Sequence, residues 1–190
     1  QRAEPIAIAK FGAEHMLTGQ VMLAQAEVAA RQGRGADAVA LATRACANLR
    51  TSVGPQSGNV ATCEATWANA LRVDGKLDQA QQHAELALTM AEVAVGKDHP
   101  QVAIPLLALA EVLLLQRRGD AAALLLRAEQ GLVKKPMDAS LLANVRFALA
   151  RAYVLAGDLA NARAAAQRGL HDLNAQGDSA LRQNLERLAR

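Results

Sequence analysis

The sequence predicts an all-α fold built as a stack of helix pairs, on three observations. A nine-residue phrase recurs at residues 11–19, 53–61 and 95–103, with Gly12, Gly54 and Gly96 spaced 42 apart. A repeat of that length between helical stretches marks a solenoid. The chain is 52% hydrophobic but only 2% aromatic, so alanine and leucine must fill the interior; both favour helix, and alanine lets helices approach closely. Its β-branched residues are scattered without alternation, so no sheet is expected.

The elements follow in order. Residues 1–10 read as the remnant of a preceding second helix. The first unit, about 13–52, places helices at 20–31 and 36–49. The second, about 55–94, places them at 61–73 and 77–95. The third, about 97–132, places them at 103–115 and 121–132. The fourth, about 138–174, places them at 141–155 and 159–173. In each turn a glycine (Gly33, Gly75, Gly119, Gly157) is expected to end the first helix in the left-handed conformation. His15, and Asp98 or His99, are expected to cap helices, with Pro100 tolerated in the first turn; Asp138 or Ser140 is the expected cap of the fourth unit. At the end, Leu181, Leu185 and Leu188 form one apolar stripe. The segment 178–190 is therefore read as a capping helix, with the first helix of a fifth unit as the alternative. The whole of 1–190 is taken as a single repeat domain, cut from a longer protein because it starts at Gln1.

Other classes find little support. The net charge is +3 with an isoelectric point near 9.2, yet no lysine-rich stripe with interleaved aromatics occurs, so no nucleic-acid partner is expected. No run of 18 apolar residues is present, so no membrane partner is expected; the most apolar stretch, 102–115, carries Pro105 and Glu111. There is no GxGxxG, P-loop, GxSxG or HExxH pattern, and the carboxylates are dispersed. No catalytic residue, cofactor or metal is expected. Cys46 and Cys63 are read as buried, reduced thiols acting as small hydrophobes, and the chain as cytoplasmic. His83 and His171 are placed on the outer surface of second helices, without nearby carboxylate pairs or cysteines.

These residues carry a family resemblance. Val95-Gly-Lys-Asp-His-Pro-Gln-Val-Ala103 resembles the linker of the 42-residue tetratricopeptide repeat found in kinesin light chains and many bacterial proteins. Residues 53–61 keep the Gly-Pro and Asn-Val-Ala parts, and 11–19 keep Gly12, Glu14 and His15. Leu149, Ala150 and Tyr153 before Gly157-Asp158-Leu159 resemble the first-helix signature. Ala80, Ala84, Ala87 and Leu88, like Ala38, Ala42 and Ala45, resemble the second-helix signature. The resemblance covers about residues 3–173. It implies a right-handed α-α superhelix of about four helix-turn-helix repeats plus a C-terminal helix.

It also implies a non-enzymatic module that holds a peptide or protein segment in a concave groove lined by the first helices. By register with the turn glycines, the groove candidates are Gln20, Leu23 and Glu27; Thr66, Asn69 and Arg72; Leu107, Glu111 and Leu114; and Asn144, Phe147 and Arg151. Asn supplies donor and acceptor together, and Arg a bidentate fork. Two further readings stand beside this one. The chain is a regulatory or sensory region of a bacterial signalling protein such as a serine/threonine kinase, or it is a self-assembly module that makes a homodimer through an apolar floor at Leu107 and Leu114.

Overall fold

A computed structural model describes residues 3–135, 139–173 and 178–190. Among them are ten α-helices and no strand: α1 (Ala3–Phe11), α2 (Met16–Arg31), α3 (Gly35–Val53), α4 (Gly58–Val73), α5 (Leu77–Val95), α6 (Ala103–Leu115), α7 (Ala121–Lys134), α8 (Ala139–Leu155), α9 (Leu159–Asp172) and α10 (Ser179–Ala189). A short 3-10 turn, Pro100–Val102, leads into α6. The helices fall in two compact units, Gln1–Lys97 and Asp98–Arg190.

The helix starts follow local chemistry. His15 is the N-cap of α2, its Nδ1 accepting from Leu17 N at 3.2 Å. His99 does the same for Gln101 N at 3.3 Å, with Pro100 just inside the turn. Each satisfies one of the amides that a helix start leaves without an intrahelical partner. Ser57 caps α4 through Val60 N. In the fourth unit Ser140 is the second residue of α8 rather than its cap, and Asp138 lies outside the described residues.

The four hairpin turns share one exit. Gly33 N bonds to Ala30 O and Arg34 N to Ala29 O; the same pair of bonds recurs at Gly75 and Lys76, at Arg117 and Arg118, and at Gly157 and Asp158. This is the Schellman arrangement, whose turning residue adopts positive φ. Glycine takes it at 33, 75 and 157, but in the third turn Arg117 does so, at φ 57°. Gly119 was the expected residue. The third turn is longer, so the reversal is complete two residues before Gly119, and the arginine bears the steric cost that glycine avoids elsewhere.

In unit 1, α2 packs on α3 and α4 on α5, while α3 packs on α4, α2 touches α4, and α1 lies on α2. Alanines at the closest approaches, Ala26, Ala38, Ala42 and Ala70, are completely buried. Unit 2 repeats the scheme with α6 on α7, α8 on α9, α7 on α8 and α6 against α8. α10 then packs on α9 and α8, the placing that a further first helix would have. It buries Leu181 and Leu185 and leaves Gln183, Glu186 and Arg187 exposed.

α9 offers a pH test. The Asp158 carboxylate accepts from the Asn161 side chain and from Asn161 N at the helix start. Both bonds hold its pKa below the ordinary value of 3.8. Because the folded value is depressed, the stabilisation is complete above the unfolded value and is lost as pH falls through the folded one. Acidification should therefore speed amide exchange in the first turn of α9 relative to an Asp158→Asn variant, whose amide caps without titrating. Equal acid sensitivity in the two proteins would remove Asp158 as the cause.

Candidate partner-binding site

The first helices carry the expected site residues, and each unit presents its own set. In unit 1 the face of α2 and α4 is polar. Gln20 is exposed and donates from Nε2 to Asn59 Oδ1 at 3.4 Å. Glu27 is half-buried and accepts from Thr66 Oγ1 at 3.3 Å. Asn69 Oδ1 accepts from Arg72 Nε and Nη2 at 3.2 and 2.7 Å. Leu23 does not belong to this face. It is 8% exposed and packs among Met22, Leu49, Cys46 and Cys63, because it points back toward α3 in the hairpin core. Asn59, absent from the expected set, sits among these amides one turn before Cys63.

In unit 2 the corresponding face mixes apolar and polar side chains. Leu107 is half-buried and Leu114 is 8% exposed. Asn144 is exposed, its Nδ2 donating to Ser140 O at 2.9 Å. Arg151 joins the other candidates: Nη1 donates to both carboxylate oxygens of Glu111, at 2.8 and 2.9 Å, and the guanidinium lies 5.6 Å from the Phe147 ring centroid. That contact lies within cation–π range. The pair ties α6 to α8 and fixes where the arginine stands.

Beside Arg151 an open cleft of about 280 Å³ is lined by Leu114, Val154, Leu155 and Leu188. Val154 is 43% and Leu155 42% exposed, which is unusual for large apolar side chains on neighbouring positions. Arg151 and Leu114 are readable from register. Val154 and Leu155 follow from the same register one turn on, whereas Leu188 arrives from α10 and needs the tertiary structure to be found.

Comparison with known proteins bears on what this scaffold is. The tetratricopeptide repeat family matches residues 59–132. Residues 59–132 thus match tetratricopeptide repeats. Among solved structures, BtubC (BKLC) from P. vanneervenii is similar, with a TM-score of 0.66 and 23% sequence identity over 82% of this chain and 63% of that one. At that identity the likeness establishes the fold, and the chain spans only about 63% of the length of that protein. No curated protein matches the sequence. Tetratricopeptide repeats are protein-interaction modules in general and typically scaffolds without chemistry of their own.

Two features of this chain depart from the sequence reading, both in unit 1. His83 is on a second helix as expected, but it is half-buried against a carboxylate rather than free on the surface. Its Nδ1 shares a 2.7 Å hydrogen bond with Glu64 Oε2, and its ring lies against Trp67 with centroids 4.1 Å apart and planes tilted by 31°. Glu64 is completely buried beside Cys63 and takes Arg50 Nη2 on its other oxygen. Both carboxylate oxygens are thereby bonded, which is the condition for burying a charge. Residues 50, 64 and 83 have no common period, so the cluster is invisible to a pattern reading.

The second departure is the cysteine pair. Cys46 and Cys63 are buried as expected but joined in a disulfide rather than free, with their Cα atoms 5.6 Å apart. That spacing lies in the usual disulfide range. It arises because α3 and α4 are adjacent second and first helices of successive repeats. Among the described residues no group of three or more acidic, histidine or cysteine side chains could hold a metal ion. No helix among them is long and apolar enough to cross a membrane.

Proposed function

We propose that the chain binds a peptide or protein segment along its first-helix faces, as a non-enzymatic module, with the unit 2 cleft taking an apolar side chain of the partner. The observation that carries this reading is the cleft itself. Two groove candidates chosen by register, Leu114 and Arg151, line a concavity with exposed Val154 and Leu155. Apolar hollows with one placed polar group are the usual form of a recognition pocket. The guanidinium is already positioned by Glu111 and Phe147, so little ordering is required on binding. In unit 1 the amides of Gln20, Asn59 and Asn69 suit main-chain recognition. The capping role of His99 with Pro100 also supports reading residues 95–103 as the kinesin-light-chain form of the linker.

Selection from a displayed library of random peptides tests the reading. Native protein should enrich sequences sharing an apolar residue, and Leu155→Asp should weaken those peptides by about tenfold or more. Burying one apolar side chain contributes about 1.5–3 kcal/mol, and about 1.4 kcal/mol is tenfold. Arg151→Ala should reduce affinity while leaving stability within about 1 kcal/mol, since the ion pair is partly solvated. Enrichment of the same peptides by native and Leu155→Asp protein would move the site off this face.

A further inference from the structure

The disulfide joins two repeats rather than the two helices of one. Within a hairpin, a short turn already holds the pair together. Between hairpins, an array depends on each nearest-neighbour interface. Cys46 belongs to the second helix of the first repeat and Cys63 to the first helix of the second, 17 residues on, with the linker around Gly54 and Ser57 between them. The bond therefore closes a loop across the one junction that binds α2–α3 to α4–α5. On the far side of the same junction lie the α2–α4 hydrogen bonds Gln20–Asn59 and Glu27–Thr66.

We propose that Cys46–Cys63 is a redox-set bolt on this junction, closed in an oxidising compartment and opened by dithiol reductant. This does not depend on the peptide-binding reading. Closure is ordinary exchange with a low-molecular-weight disulfide: two cysteine thiols give up two electrons and two protons, one S–S bond forms in the protein, and the oxidant's S–S bond is cleaved to two thiols. Both sulfurs lie in the core among Met22, Leu23, Leu49 and Val60, with no exposure of either cysteine. A thiolate reagent reaches them only when α3 and α4 part, so the bolt resists brief exposure to reductant and responds to sustained change. Disulfides persist in oxidising compartments and are rare where glutathione keeps thiols reduced, so the bolt sets the chain against the cytoplasmic expectation.

The test uses the whole chain equilibrated with oxidised glutathione. Thiol titration after denaturation should find no free thiol without reductant and both after reduction. Dithiothreitol should lower the melting temperature of unit 1 by about 10–20 °C, given the size of the closed loop. It should also accelerate amide exchange in α3 and α4 while leaving α8 and α9, in the cysteine-free unit, unchanged. A Cys46→Ala, Cys63→Ala variant should show the lower transition and no response to reductant. Two free thiols after oxidation, or a formed disulfide whose reduction alters neither melting nor exchange, would overturn the proposal.

Discussion

Replacing Arg50 with alanine is expected to destabilise Gln1–Lys97 by about 3 kcal/mol, measured by urea unfolding. The reason is Glu64 rather than Arg50. The arginine side chain is 41% exposed, whereas the glutamate has no exposure at all, and its two oxygens are shared between Arg50 and His83. Removing the arginine leaves a buried carboxylate with one partner, and breaking such a pair costs about 3–5 kcal/mol. The lower figure fits because His83 remains. Replacing all three members with apolar residues (Arg50→Met, Glu64→Leu, His83→Leu) should cost less than Arg50→Ala alone, since no charge is left stranded. The assignment fails if Arg50→Ala stays close to native stability, or if the triple change costs the sum of three independent losses.

Gly35→Ala should cost about 2–3 kcal/mol, at the upper end of what overpacking a core incurs. Its β-carbon would stand 2.6 Å from Asp74 Cα and 2.7 Å from Asp74 N. These are backbone atoms at the end of α4, held by Asp74 N to Ala70 O, so they cannot rotate away as a side chain would. The first hairpin turn and the second meet at this point, and glycine is what lets them meet. Gly58→Ala is the matched control: it is also in the first turn of a helix, but nothing lies within 4 Å of the added carbon. Thermal melts should separate the two by several degrees. Equal melting temperatures would mean that the turns can separate freely.

The contrast between these sites shows what a sequence of this kind discloses. Helix positions, turn glycines and the capping histidines are local. A phrase such as Gly96-Lys-Asp-His99-Pro100 specifies its own backbone, so it can be read without knowing what packs against it. The positions of Arg151 and Leu114 beside the cleft were legible for a related reason, since helical register fixes which way they face once the turn is located. Leu23 shows the limit: it shares the helical stripe of Gln20 and Glu27, yet it packs into the core beside Cys46 and Cys63. Glu64 with His83, and Cys46 with Cys63, were not legible as partners. Their meeting depends on how far apart α3, α4 and α5 settle, which is decided by alanine packing all along the helices. Arg117 escaped for a simpler cause: two extra residues moved the reversal off the glycine that marks it elsewhere.

The linker glycines have a consequence for how such a chain can change. Gly12, Gly54 and Gly96 hold φ of 93°, 83° and 88°, so the same local backbone conformation recurs at three linkers. Punctuation of that sort is carried inside the block and owes nothing to residues elsewhere. A duplication or loss of a block bounded by two such glycines leaves both of its joints intact, whereas a shift by a few codons corrupts the joint it touches. Length is thus the trait this polypeptide can vary most cheaply, and the side chains on the exposed faces are free to diverge block by block once a copy has been made.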